Sequence, residues 1–315
     1  MHYQGIIPGR PYPINRPLSD QDRAKRLYQR DRWDDAAPYS DLTVVRINST
    51  YMEIVDKYYG WKGWAAFMLG LLTLVPLVFG FVFISIGVEL LTEGEVEGFY
   101  FGIGASALLF MMAGVGWFLG RFEWAYYTHY PIRLNRKDRM VYVFRKDGTV
   151  LSAGWDELFF TLDPDAVWWE IRAHVLAEDG VTVKETFTLG AYSTLNSREG
   201  MRILYAHWEF FRRYMEEGPA AIAPYVKQVA PVEGKRESFR VGYEVLASNL
   251  RSDNPLLRVL YLLDWPLTAL SSLTRWLVMR KGKIPFWPEE IEARNVVAAD
   301  DPFCIDARIN PPIFR

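Results

Sequence analysis

Two stretches of this chain carry no charge at all. Gly63 to Val88 runs for 26 residues and Gly98 to Gly120 for 23 without an Asp, Glu, Lys or Arg. A helix needs about 20 apolar residues to cross a hydrocarbon layer of ~30 Å, so each run predicts a transmembrane helix. Soluble core helices of this length keep a charged face, which these runs lack. The nine residues between them contain Glu89, Glu93, Glu95 and Glu97 and no cation. Lys57 and Lys62 precede the first run, and Arg121, Arg133, Arg136, Lys137 and Arg139 follow the second. By the positive-inside rule both termini are expected in the cytoplasm and the acidic turn outside. Trp61, Trp64, Trp124, Tyr126 and Tyr127 collect at the inner boundary, where amphipathic rings settle.

No ionisable group lies within either run, which argues against a proton relay, an ion pathway or a transport site. The second run places small residues four apart, Gly102 with Ser106 and Gly116 with Gly120, so that another helix can approach closely. These are the candidate helix-packing residues. Their partner is either the first span of the same chain or a second copy in a homo-oligomer.

The remaining sequence reads as soluble structure. Met140–Arg145 and Thr149–Ala153 flank Lys146-Asp147-Gly148, and an Asp-Gly between apolar runs predicts a β-hairpin. A second hairpin is expected from Val167–Ala177 and Val181–Leu189 around Glu178-Asp179-Gly180, with a short strand at Leu158–Leu162 between the two. Asn196 and Glu199 then resemble a capping box opening a helix. Met201, Leu204, Tyr205, Trp208, Phe211 and Met215 share one face of it, and Gly218-Pro219 ends it. Antiparallel strands closed by one amphipathic helix follow the pattern of a pleckstrin-homology-like unit.

The expected fold class is therefore an α+β membrane protein. Residues 1–62 form a largely irregular cytoplasmic segment, without the apolar core of a secretory signal. A transmembrane hairpin follows at 63–120, then a cytoplasmic PH-like domain at 121–220 and a helical or irregular region at 221–315. In that last region Pro255–Met279 is apolar but is interrupted by Arg258, Asp264 and Arg275 and broken by Trp265-Pro266. It predicts two short helices on the membrane face or against the sheet rather than a third span. Trp265, Arg275, Arg280, Lys281 and Lys283 are its candidate contacts to membrane lipids or a partner.

No pattern for chemistry emerges. His2, His129, His174 and His207 show no metal-ligand spacing, and the single Cys304 allows neither an intrachain disulfide nor a thiolate metal site. Dinucleotide, P-loop and nucleophile-elbow motifs are absent. Asp163-Pro164-Asp165 reads as a turn. Neither an enzyme nor a cofactor is expected, and a net charge of −2 gives no reason to expect nucleic-acid binding.

Several short motifs together resemble a known family. Tyr130-Pro131-Ile132-Arg133-Leu134-Asn135-Arg136-Lys137 follows the second span, and Val141-Tyr142-Val143 and Gly154-Trp155-Asp156 come next. Arg213 to Ala221 and Pro285-Phe286-Trp287-Pro288-Glu289-Glu290 complete the set. Over roughly residues 40 to 295 this order is similar to two-span bacterial inner-membrane proteins associated with type VI secretion effectors. The resemblance implies an immunity protein that neutralises a cognate effector by binding, or an accessory protein that recruits one for export. A membrane-bound sensory or lipid-binding module is the further alternative from the residues themselves.

Overall fold

The computed structural model describes residues 12–35, 37–124, 127–164, 169–193, 198–248 and 255–314. His2, Tyr126, Asp165, Val167 and Asn196, and the side chains of Trp124, Arg258 and Asp264, lie outside what it describes. The chain is a mixed α/β protein with two antiparallel sheets and two helices long and apolar enough to cross a membrane. It divides into two compact units. The first comprises 1–60, 127–241 and 284–315, and the second 61–126 and 242–283.

In chain order the described strands are β1 (Arg16–Pro17), β2 (Arg26–Leu27), β3 (Val44–Ile47), β4 (Tyr51–Ile54), β5 (Ile132–Asn135), β6 (Met140–Phe144), β7 (Val150–Gly154), β8 (Phe159–Pro164), β9 (Trp169–Leu176) and β10 (Thr182–Ser193). The helices are α1 (Asp20–Ala24), α2 (Trp64–Thr92), α3 (Val96–Trp124), α4 (Arg198–Glu217), α5 (Phe239–Ser248), α6 (Pro255–Lys281) and α7 (Glu289–Arg294).

One sheet of the first unit has the order β3-β4-β5-β6-β7 and the other β1-β10-β9-β8-β2. Both expected β-hairpins form, because Asp-Gly supplies what the turns require. Gly148 and Gly180 sit at φ +85° and +64°, and Asp147 and Asp179 accept hydrogen bonds from the backbone two residues on. The strands do not make one sheet, however. The segment expected to be irregular, residues 1–62, supplies β3 and β4 to one sheet and edge strands β1 and β2 to the other. These strands are two to four residues long; β3 pairs locally with β4, while β1, β2 and β4 pair with strands far along the chain, such as Arg16 with Val183 and Leu27 with Phe160. A local pattern does not reveal such pairing.

Helix α4 packs on β9 and β10 and stops at Gly218, whose φ of +95° suits glycine alone. Trp208, Phe211 and Met215 point inward as their spacing predicts, while Tyr205 is stacked on Trp33 at 4.2 Å. The opposite side of α4 is buried as well. There Glu209 receives Arg212 at 2.7 Å, Arg213 at 2.9 Å and the Trp33 N–H at 3.0 Å. Burial alone would raise the Glu209 carboxyl, but these donors hold it below the usual range.

In the second unit α2 and α3 form an antiparallel pair joined at Glu93-Gly94-Glu95. Gly102, Ser106, Gly116 and Gly120 are all buried along one side of α3. A Cβ on Gly102 would lie 2.8 Å from the Phe83 carbonyl, and one on Gly116 would lie 2.9 Å from the Thr73 nitrogen. The Ser106 hydroxyl bridges the pair by donating to the Gly80 carbonyl at 2.9 Å. The small-residue stripe thus faces α2 of the same chain.

The two short helices expected after residue 255 are one. Helix α6 runs for 27 residues straight through Trp265-Pro266. Proline removes a single backbone donor, and α2 likewise continues through Pro76. Thr274 and Arg275 hold α6 to the start of α2, donating to the carbonyls of Gly63 and Lys62 at 2.8 and 2.9 Å.

Candidate functional site

The first unit carries an open groove of about 570 Å³. Its floor is the outer face of α4, with Arg202, Ile203 and Ala206. One wall is the 37–42 segment, pinned by the Tyr39 N–H on the Ala206 carbonyl at 3.1 Å and by the edge of Tyr39 against His207 at 5.0 Å. The other wall is Pro224 to Gln228, which follows the Gly218-Pro219 stop and turns back beside α4. Tyr39 and Tyr225 remain 46% and 36% exposed, and Arg202 and Lys227 are exposed at the rim. Arg202 is paired with Glu199 at 2.7 Å. None of the described lining residues is a carboxylate. Tyrosine and arginine are residue types enriched at protein interfaces. Sequence reasoning missed this site because its three segments are far apart in the chain and none has a motif.

A second gathering is buried. Asp22, Asp163 and His174 bring their ligand-capable atoms within 4.8 Å of one another. Each already has protein partners. Asp22 accepts from Arg16 at 2.5 Å and from the Ser19 N–H at 2.8 Å. The Thr161 hydroxyl lies 2.5 Å from Asp163 and 3.0 Å from His174 Nε2, while Thr186 lies 2.8 Å from His174 Nδ1. Donors and acceptors balance if Nε2–H donates to Thr161, Thr161 to Asp163, and Thr186 to Nδ1. The arrangement is a closed hydrogen-bond chain around a neutral imidazole. Burial pushes His174 down to about 4, against the opposing pull of Asp22 and Asp163. The unfolded chain takes up this proton near pH 6.5, the folded chain only near 4. Stability is therefore complete above about pH 6.5 and falls by about 3 kcal/mol on descending to pH 4. Chemical denaturation at pH 7 and pH 4.5 measures that slope, and His174→Gln is expected to flatten it.

The motif residues turn out to be ties within the first unit. Arg133 is buried, donates to Glu53 at 2.6 Å and Glu292 at 2.9 Å, and lies over the rings of Tyr51 and Trp287. Asn135 reaches the Arg294 carbonyl and Asn295, Arg139 pairs with Asp156 and Glu216, and Trp155 donates to Glu216 at 2.7 Å. Arg133 and Arg139 are therefore engaged rather than free flank charges.

The candidate contact residues of the second unit divide. Arg280, Lys281, Lys283 and Trp265 are exposed. Arg275 is fully buried, which corrects its assignment to a surface cluster: its guanidinium is held on the Lys62 carbonyl. Its backbone lies so close to Gly63, at φ +92°, that no side chain fits there. Lys281 borders a small apolar groove of about 310 Å³ with Gly70, Leu74, Trp117 and Leu277.

Residues 109–299, more than half of the chain, match the model of a family of unknown function, DUF6708. The chain belongs to the DUF6708 family. The matched region begins within α3 and includes β5 to β10 and α4 to α7, so the Arg133–Trp287–Glu292 tie and all of α6 fall inside the family's span. No curated protein and no solved structure shows a significant match to the chain.

Proposed function

We propose that this DUF6708 member is a membrane-anchored binding protein that neutralises a cognate type VI secretion effector, as an immunity protein. The observation that carries the anchor is the surface of α2 and α3. Only 17% and 22% of their most apolar windows are buried, and Leu74, Phe81, Leu108 and Trp117 are among the side chains left outside. A soluble core helix would hide them. Their hydroxyls need no water either, since Thr73, Ser85 and Ser106 donate to carbonyls of their own helices. The hairpin sits in a bacterial inner membrane with its acidic turn outside and both termini in the cytoplasm. The first unit, of PH-like element order, then offers the Tyr39–Tyr225 groove to a partner, and the exposed Lys227 at its rim favours an acidic segment.

Cytoplasmic reporters fused at either terminus should be active, and one placed between Glu93 and Glu97 should not. The reverse pattern would remove the orientation. The function is tested by deleting the gene in a strain that keeps the neighbouring effector. Immunity requires self-intoxication that the wild-type chain rescues and that a Tyr39→Ala, Tyr225→Ala variant rescues less well. Healthy growth with lost effector delivery would instead assign the accessory role. No change in growth or delivery would leave a sensory or lipid-binding module, for which the exposed Arg280, Lys281 and Lys283 speak.

A further inference from the structure

Helix α6 is built inside out. Thr268, Ser271, Ser272 and Arg275 are buried to 2% exposure or less, while Leu267, Leu270, Leu273 and Leu277 are 42–51% exposed. At about 100° per residue the four polar side chains fall within an arc of roughly 100° and the leucines on the opposite side. A helix on a water-soluble protein has the reverse arrangement. Nor are the inward polar groups strained. Ser271 and Ser272 both donate to the Thr268 carbonyl, at 3.0 and 2.6 Å, and Thr274 and Arg275 satisfy the carbonyls that open α2.

We infer that the leucine face of α6 is embedded in the bilayer, as a third membrane element lying in the leaflet on the basic side. The inference rests on reading α2 and α3 as spans. Two features select lipid as the occupant. The first is continuity, because Leu277 adjoins Leu74 of α2 and Trp117 of α3 around one shallow apolar groove. The second is charge, because the leucines are followed directly by the exposed Arg280, Lys281 and Lys283, which suit an anionic headgroup layer. Depth follows from the contact of Arg275 with Gly63. Arg275 lies against Gly63, and Leu277 and Lys281 border Gly70 and Leu74, so this part of α6 runs beside the first turns of α2, where a helix with one apolar face is stable at the membrane interface. The buried polar stripe faces protein, so the leucines alone need solvation by acyl chains.

The test uses the full chain in phosphatidylglycerol/phosphatidylcholine bilayers, with Cys304→Ser as background. Spin labels are attached at Leu270→Cys, Leu273→Cys and Leu277→Cys, with Leu108→Cys as the α3 reference and Glu178→Cys as the aqueous one. Collision rates with oxygen and with a water-soluble nickel chelate are compared. The α6 labels are expected to give oxygen-dominated ratios, well above that of Glu178 and below that of the deeper Leu108 label. A nickel-dominated ratio, as at Glu178, would place the leucines in water and overturn the inference. Low collision with both reagents would mean that a second copy or another protein covers them, which also overturns it. If the Leu108 label itself behaves as aqueous, the span reading falls and the inference falls with it.

Discussion

Glu170→Ala is expected to destabilise the first unit by about 3–5 kcal/mol, the largest effect of any single side chain described above. Glu170 is completely buried on β9 and is the anion on which three groups converge. Lys57 forms an ion pair with one carboxylate oxygen, and Arg172 and the Tyr12 hydroxyl donate to the other at 2.7 and 2.8 Å. The Lys57 side chain is 1% exposed, so water cannot take the place of the missing carboxylate without opening the fold. Desolvated charges of this kind are worth little as pairs and cost much when divided. The double variant Lys57→Met, Glu170→Leu should therefore be more stable than Glu170→Ala. Guanidinium denaturation of the full chain in detergent, followed by tryptophan fluorescence, reads both effects. An unmoved midpoint for Glu170→Ala would show that the cluster is solvated.

Arg133→Leu should cost a similar amount for a different reason. Its guanidinium joins β4, β5 and the 285–292 segment through Glu53, Glu292 and two aromatic faces, and Trp287 donates to the same Glu53 oxygen at 3.0 Å. Burial pushes the Glu53 carboxyl up and Arg133 beside it opposes that. Without Arg133, Glu53 either protonates or drags the 285–292 segment away. Lysine is not a substitute, because a point charge neither forks between two carboxylates nor stacks between Tyr51 and Trp287. Hydrogen exchange of the β4, β5 and α7 amides should accelerate in Arg133→Lys as well as in Arg133→Leu. Arg133→Lys matching the wild type would dismiss the planar-fork argument.

These two residues also mark the limits of what the sequence discloses. Asp147-Gly148, Asp179-Gly180 and Gly218-Pro219 are legible because a turn or a helix stop is decided within four residues. The charge-free runs are legible as long helices because their apolar composition holds over a window of more than about 20 residues. Arg133 is conspicuous as part of a motif, yet its role depends on Trp287 and Glu292 far along the chain. Strands β1, β2 and β4 are too short to announce themselves and pair with β10, β8 and β5 far along the chain, with β3 added on the edge of β4. In α6, Arg275 reads as a charge too costly for a span and Pro266 as a break, yet the helix runs on through Pro266 and buries Arg275 against the Lys62 carbonyl. The Tyr39–Tyr225 groove had no local signal at all, since it is the gap left by three separate segments.

The hairpin's place in the chain order carries a consequence for how such a molecule is made. Strands β4 and β5 are hydrogen-bonded neighbours, Ile54 opposite Ile132, yet all of α2 and α3 is synthesised between them. An unfolded connection of that length opposes strand closure through its entropy, whereas an assembled antiparallel hairpin returns its ends to one side. Pairing β4 with β5 therefore closes a loop that contains all of α2 and α3, so strand pairing and hairpin assembly are coupled.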